Sequence, residues 1–141
     1  MSGEPRFSPT SALLTRSRAA EIEVAGLLEP HGLTVRKYAI LSAIAATPGV
    51  TISDLARRSS TTADGARVAV KALVDAGLVR SAAGGGHAPQ LTATRTAAAL
   101  LEHLARAIGD VDERLFGTEE MRELASALAD ATESRSAPPQ D

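Results

Sequence analysis

Arg67 and Lys71 stand four residues apart, so a helix through them carries both cations on one face, one turn from each other. A guanidinium so placed can donate two parallel hydrogen bonds to guanine O6 and N7, and an ammonium suits a phosphate or a guanine. Val68 lies beside them. The other reading of this trio is an ordinary solvated helix face. Just upstream, Ser60, Thr61 and Thr62 make a polar turn. One threonine hydroxyl is expected to cap the helix that follows, leaving the other for a phosphate or a thymine methyl group. Asp64 would repel phosphates, so it either caps the helix with Thr61 or accepts from a cytosine amino group. Gly65 is costly inside a helix. A close approach to a DNA backbone would account for it, and so would tolerated noise.

Other cations flank this segment. Arg80 is expected to serve phosphates, and Arg36, at the start of an upstream helix, is placed for a phosphate or for solvent. Arg57 and Arg58 either do the same or form local ion pairs. His87, in a loop, lies near a minor groove or is simply solvated. Catalytic constellations are missing from the sequence. His31, His87 and His103 are scattered, and there is no His-Glu-x-x-His, no Gly-x-Ser-x-Gly and no phosphate-binding loop. Gly84-Gly85-Gly86 leads into neither a helix start nor a lysine, so it reads as a hairpin tip. Glu119-Glu120 complements a helix dipole. With no cysteine there is no disulfide, thiol nucleophile or zinc-finger spacing. The expectation is no enzyme, no metal and no cofactor.

A net charge of −2 over 141 residues looks wrong for a nucleic-acid binder until it is resolved along the chain. Residues 51–95 carry Arg57, Arg58, Arg67, Lys71, Arg80 and Arg95 against Asp54, Asp64 and Asp75, a net of +3. Residues 1–50 hold five basic and four acidic side chains, and residues 96–141 hold four and ten. Basic charge therefore sits in the middle and acidic charge at the C-terminal end. Ordinary solvated helix faces would give a similar pattern. No apolar run approaches 18 residues and no charged-then-apolar leader opens the chain, so a cytoplasmic protein without a membrane partner is expected.

Elements must position these groups. With three aromatics (Phe7, Tyr38, Phe116) and abundant alanine and leucine, the class is mainly α. A first helix is predicted from about Pro9 to Leu28, broken by Glu29-Pro30-His31-Gly32. Thr34 caps a second, Val35 to Ala46, apolar nearly all round and therefore buried. Thr51 and Asp54 make a capping box for a short third helix. The fourth runs from about Ala63 to Ala76, with Ala66, Val70, Leu73 and Val74 inward, and Gly77-Leu78 stops it in a Schellman turn. Leu78-Val79-Arg80, the glycine tip and Gln90-Leu91-Thr92 read as a β-hairpin. A long helix from Thr92 to about Phe116 follows, with Ala97, Leu101, Leu104, Ile108, Val111 and Leu115 at heptad spacing. Met121, Leu124, Leu128 and Ala131 line a last helix. Two helices across a tight turn, then a hairpin, is the layout of a winged helix-turn-helix, a fold that places its second helix in the major groove.

Four stretches in register carry a resemblance: Gly32-Leu33-Thr34-x-x-x-Tyr38-Ala39-Ile40-Leu41, Thr51-Ile52-Ser53-Asp54-Leu55-Ala56, Leu73-Val74-Asp75-Ala76-Gly77-Leu78-Val79-Arg80 and Leu91-Thr92. Together they resemble the MarR family of dimeric transcriptional regulators, over about residues 10–132. The resemblance implies a homodimer made by N- and C-terminal helices, two lobes reading a pseudo-palindrome in double-stranded DNA, and control by a small aromatic or anionic effector. It points to a ligand cleft that Arg16, Arg18, His31 and Tyr38 could line, although each separately also reads as surface or core. Two departures stand out. The wing, Ser81 to Gln90, lacks the family's Asp-x-Arg, and Thr94-Arg95 stands where a glycine is usual after Leu-Thr.

The combined expectation is one domain over 8–133, mainly α with a small β-hairpin wing. The winged helix-turn-helix spans about 34–92, dimerisation helices about 9–28 and 94–132, and 1–7 and 134–141 are flexible. A chain this small with long amphipathic helices at both ends most economically packs them on a second copy. That interface is expected to use Leu13, Ala20, Val24, Leu101, Leu104, Ile108, Val111, Leu115, Leu124 and Leu128. The expected function is a DNA-binding regulator, a repressor by preference. The alternative is a winged-helix protein-interaction module with weak or no DNA binding.

Overall fold

The computed structural model of the chain describes residues 8–83 and 86–136, leaving out the side chains of 135 and 136. The helix from Val35 to Ala46 (α2) is the one around which the others are arranged. Thr34 caps it as expected, its hydroxyl accepting from the Lys37 N–H at 3.1 Å. Ile40, Leu41 and Ile44 are at most 1% exposed. They meet α1 (Pro9–Leu28), α3 (Ile52–Arg58), α4 (Ala63–Asp75), α5 (Arg95–Phe116) and the second strand of the hairpin.

The Thr51 hydroxyl accepts from the Asp54 N–H at 3.3 Å and donates to the Asp54 carboxylate at 3.0 Å, which starts α3. Ser60 then turns the chain with φ +50°, a region that non-glycine residues seldom occupy. Thr62, not Thr61, caps α4, accepting from the Gly65 N–H at 3.0 Å. The inward face of α4 is Ala66, Ala69, Val70 and Leu73. Val74, expected inside, is 37% exposed. Residues 66, 69, 70 and 73 already fill the inward arc, and the next position swings to its edge. The Schellman stop forms as read: Gly77 has φ +74°, and Leu78 N–H and Gly77 N–H donate to Leu73 O and Val74 O at 2.9 and 3.0 Å.

Strands β1 (Val79–Ala82) and β2 (Gln90–Ala93) pair antiparallel, with Val79 opposite Ala93 and Arg80 opposite Thr92. Their connection falls partly outside the described residues, at Gly84 and Gly85. Val50 adds a bridge to Leu91, with Gly49 N–H donating to Leu91 O at 2.8 Å and Leu91 N–H to Val50 O at 2.9 Å. A single bridging residue leaves no periodicity in a sequence, and none was foreseen. Thr92 does not open α5 as predicted, because its segment is held in the ladder. Thr94 does, its hydroxyl accepting from the Ala97 N–H at 3.2 Å.

The heptad seam of α5 is divided. Ala97, Leu104 and Val111 are buried within the protomer, where α5 packs on α1 and α2, while Leu101, Ile108 and Leu115 are only half-buried. Leu104 and Val111, expected at a dimer interface, therefore belong to the chain's own core. The last helix, α6 (Glu119–Ser136), runs past its expected end. Residues 134–136 are helical rather than loose, since no helix breaker precedes Pro138. Residues 1–7 and 137–141, expected flexible, lie outside the described residues.

The Asp54 carboxyl is held below its ordinary value of 3.8, chiefly by the Thr51 hydroxyl and, against some desolvation, by the neighbouring Arg57 guanidinium. A lowered carboxyl contributes stability above pH 3.8, and that contribution is lost as pH falls through the lower folded-state value. Thr51→Ala removes the cap and the main partner of the carboxylate together. At pH 7 it should cost about 1 kcal/mol. In urea melts the gap between the variant and the parent should narrow as the pH is taken below 3.8; a gap unchanged at acid pH would assign the loss to the cap alone.

Candidate nucleic-acid interface

On α4 the structure exposes Asp64, Arg67, Val68, Lys71 and Asp75 along one face, as the spacing predicts. Arg67 Nη1 donates to Asp64 Oδ1 at 2.8 Å, and Lys71 Nζ to Asp75 Oδ2 at 3.0 Å. Asp64 is thus an ion-pair partner and not a helix cap. Exposed pairs within one helix are worth only about 0.3–0.5 kcal/mol each, so a stronger acceptor can take either cation. Val68 is 72% exposed and is not part of the hydrophobic core.

The start of α2 lies against the start of α4. A shallow cavity of about 330 Å³ separates them, lined by Thr34, Arg36, Lys37, Asp64, Gly65 and Val68 among others. Gly65 has its reason here. A Cβ built on it would come within 2.9 Å of the Thr61 hydroxyl, 3.1 Å of the Thr62 hydroxyl and 3.9 Å of Arg36 Nη1. The glycine lets both hydroxyls and the guanidinium crowd one turn of helix. Close packing inside the protein suffices to account for it, with no approach of DNA required.

Arg36, Thr61, Thr62, Asp64, Gly65 and Val68 are therefore brought together, with Arg67 and Lys71 continuing along the same helix. Lys37 and Thr34 belong to the group and were not singled out from the sequence. A signal was available: α2 opens with two cations and no acidic residue in its first turn, an arrangement that the helix dipole disfavours. Ser60 is exposed in the turn, Arg80 is exposed on β1 and makes no ion pair among the described residues, and His87 is exposed beyond Gly86. Arg57 and Arg58 are engaged locally, with Asp54 and with the Thr47 hydroxyl.

The expected ligand set does not converge in this way. Arg16 and Arg18 are exposed on α1, Tyr38 packs against the core, and among the described residues no hydrogen bond or ion pair joins any of them to His31. His31, in a short 3-10 turn over Glu29–His31, instead meets His103 of α5 edge-on, with ring centroids 5.7 Å apart. Seventy-one residues of intervening sequence hid that contact.

Residues 31–88, from that turn to the far side of the hairpin, match the sequence profile of the MarR family. The chain belongs to the MarR family. Among its relatives, the HTH-type transcriptional repressor Rv2887 of Mycobacterium tuberculosis is 34% identical over 91 residues, 64% of this chain and 66% of that one. The repressor Mb2911 of Mycobacterium bovis matches to the same extent. The chain thus spans about two thirds of the length of the curated relatives it matches. Rv2887 in complex with p-aminosalicylic acid superposes with a TM-score of 0.73 at 25% identity, over 89% of this chain and 98% of that one. The reduced form of MarR from E. coli shares the fold, with a TM-score of 0.79 at 16% identity, over 91% of this chain and 98% of that one. The solved MarR proteins also confirm the winged-helix class, and no helix among the described residues is long and apolar enough to cross a membrane.

Glycines of the MarR chain give a direct check on the cap. Gly109, inside α5, has nothing within 4 Å of a built Cβ. Gly109→Ala should therefore gain up to about 1 kcal/mol from helix propensity alone. Gly65→Ala should gain nothing or lose stability, because the added methyl displaces the Thr62 hydroxyl from a cap worth about 1 kcal/mol. Thermal melts of the two variants decide it; equal gains would mean the crowding at Gly65 is relieved without loss.

Proposed function

We propose that the protein is a sequence-specific DNA-binding transcriptional regulator, a repressor, that acts as a homodimer on a pseudo-palindromic site and is released by a small aromatic or anionic ligand. One observation carries it: Arg67, Val68 and Lys71 are presented outward on α4, continuous with Arg36 and Lys37 at the start of α2. This is one helix shaped for a groove beside a pair of cations shaped for its wall. The relatives support the reading, since Rv2887 is named a repressor and has been solved in complexes with DNA, salicylic acid and p-aminosalicylic acid. A place in the cytoplasm, one domain over about 8–133 and the absence of catalysis follow from the same role.

Dimerisation is supported by surface. Leu13 and Leu14 on α1 and Leu124 and Leu128 on α6 are 38–66% exposed, an apolar surface that a second copy would cover. Leu101, Ile108 and Leu115, half-buried on α5, extend it. Ala20 and Val24 are half-buried on α1, with Val24 packed against the core. Leu13→Glu with Leu128→Glu should give a folded monomer in sedimentation. Leu104→Ala should instead lower stability by about 2–5 kcal/mol through a core cavity. A dimer surviving the double charge would move the interface elsewhere.

Gel shifts at two salt concentrations test the DNA reading itself. Affinity should fall with a log–log slope set by the phosphate contacts. Arg67→Ala should cost about 1–3 kcal/mol and relax specificity at one base pair per half-site. Arg80→Ala should weaken all sequences alike and flatten the slope by about one per half-site. The rival reading, a protein-interaction module, draws on the acidic partners of Arg67 and Lys71; absence of any binding at about 50 mM salt, where phosphate contacts are strong, would favour it.

A further inference from the structure

We propose that Val68 reads the 5-methyl group of a pyrimidine, a thymine in unmodified DNA, on the nucleotide whose phosphate is held by Arg36 and Lys37. The inference rests on the DNA-binding reading and adds a base identity to it. Among the described residues Val68 is the most exposed of the large hydrophobic side chains, at 72%. A β-branched residue is a poorer helix former than the alanine, lysine or glutamate usual at such a position, and Val68 contributes nothing to the buried face of α4. Among the described residues the other exposed large apolar side chains lie on α1 and α6 or, as Val74, at the far end of α4. Val68 stands between Arg67 and Lys71 and lines one cavity with Arg36 and Lys37.

Those neighbours restrict what can cover it. An apolar protein surface laid over Val68 would also desolvate the Arg67–Asp64 and Lys71–Asp75 pairs, which costs more than such pairs return. The DNA major groove offers acceptors for both cations and one apolar feature, the thymine C5-methyl group. Position agrees with chemistry. Val68 lines the same cavity as Arg36 and Lys37. In a B-form duplex the C5 edge of a pyrimidine faces the groove wall made by its own strand, on the 5′ phosphate side. A phosphate drawn to Arg36 and Lys37 therefore brings the methyl group of that nucleotide toward Val68. One nucleotide would be gripped at both its charged and its apolar feature.

Deoxyuridine isolates the methyl group, because it pairs as thymidine does and lacks only that group. An operator is first selected from a random duplex pool with the full chain, and each thymidine of a half-site is then replaced in turn by deoxyuridine. One thymidine per half-site should weaken binding about fourfold, the effect of removing one methyl from an apolar contact. Val68→Ala, at an exposed position and checked by thermal melting, should bind the thymidine and deoxyuridine operators alike. Arg36→Ala should weaken both and leave their ratio intact. A selected half-site indifferent to deoxyuridine at every thymidine, or a sensitivity that persists in Val68→Ala, would overturn the inference alone. Failure to retain any duplex from the pool at about 50 mM salt, where phosphate contacts are strong, would overturn the DNA-binding reading and this inference with it.

Discussion

What α4 can offer outward depends on α2 being buried. Ile40, Leu41 and Ile44 are all but excluded from water, and each such side chain contributes about 1.5–3 kcal/mol by burial. The charged residues of α2, Arg36 and Lys37, both stand in its first turn. α4 lies across this helix on Ala66, Ala69, Val70 and Leu73. Two of those four are alanines, which lets the backbones approach closely. Close approach is what brings Thr34, the cap of α2, and Asp64 and Gly65, in the first turn of α4, to one rim. The interface is thus a by-product of core geometry: the cations of α2 and the outward face of α4 adjoin because the inward faces must.

The far end of α4 is held just as tightly, by one residue outside it. Thr94 donates its hydroxyl to Gly77 O at 2.8 Å and its N–H to Leu78 O at 3.0 Å, while the same hydroxyl accepts from Ala97 N–H and starts α5. The end of the reading helix and the start of the longest helix of the chain are therefore one hydrogen-bonded junction. A glycine there, usual in the family, would make no such hydroxyl bonds. Any ligand that alters DNA affinity must favour one spacing of two reading helices over another. The junction at Thr94 thus ties the turn that ends α4 to the start of α5.

Most of the architecture was legible from the chain because it is written in local terms. The bounds of α1 and α2, the cap at Thr34, the Thr51–Asp54 box and the Schellman turn each depend on residues within about one helical turn of each other. What escaped was non-local or geometric. The bridge of Val50 to Leu91 and the contact of His31 with His103 join distant segments. The heptad of α5 was visible, but periodicity cannot say which partner a seam meets, and half of it turned out to be buried within the protomer. At the interface, the outward residues of α4 were found from spacing, whereas the reason for Gly65 and the part of Lys37 needed the proximity of α2.

The distribution of acid on α4 bears on how such an interface discriminates. Arg67 and Lys71 each have a carboxylate one turn away, so the reading face of the free protein carries little net charge. A phosphate encountered at random must compete with Asp64 or Asp75 for a single cation, and gains little over the pair it displaces. A guanine offering two acceptors in the plane of the Arg67 guanidinium forms two bonds for the one given up. Carboxylates on a DNA-facing helix therefore weaken indiscriminate binding more than they weaken the specific contact. The wing, without the Asp-x-Arg of the family, adds only Arg80 on β1 and His87 near the tip as basic side chains. On the proposed function, sequence discrimination is concentrated on α4 for that reason, and phosphate anchoring falls to Arg36, Lys37 and Arg80, which lie outside it.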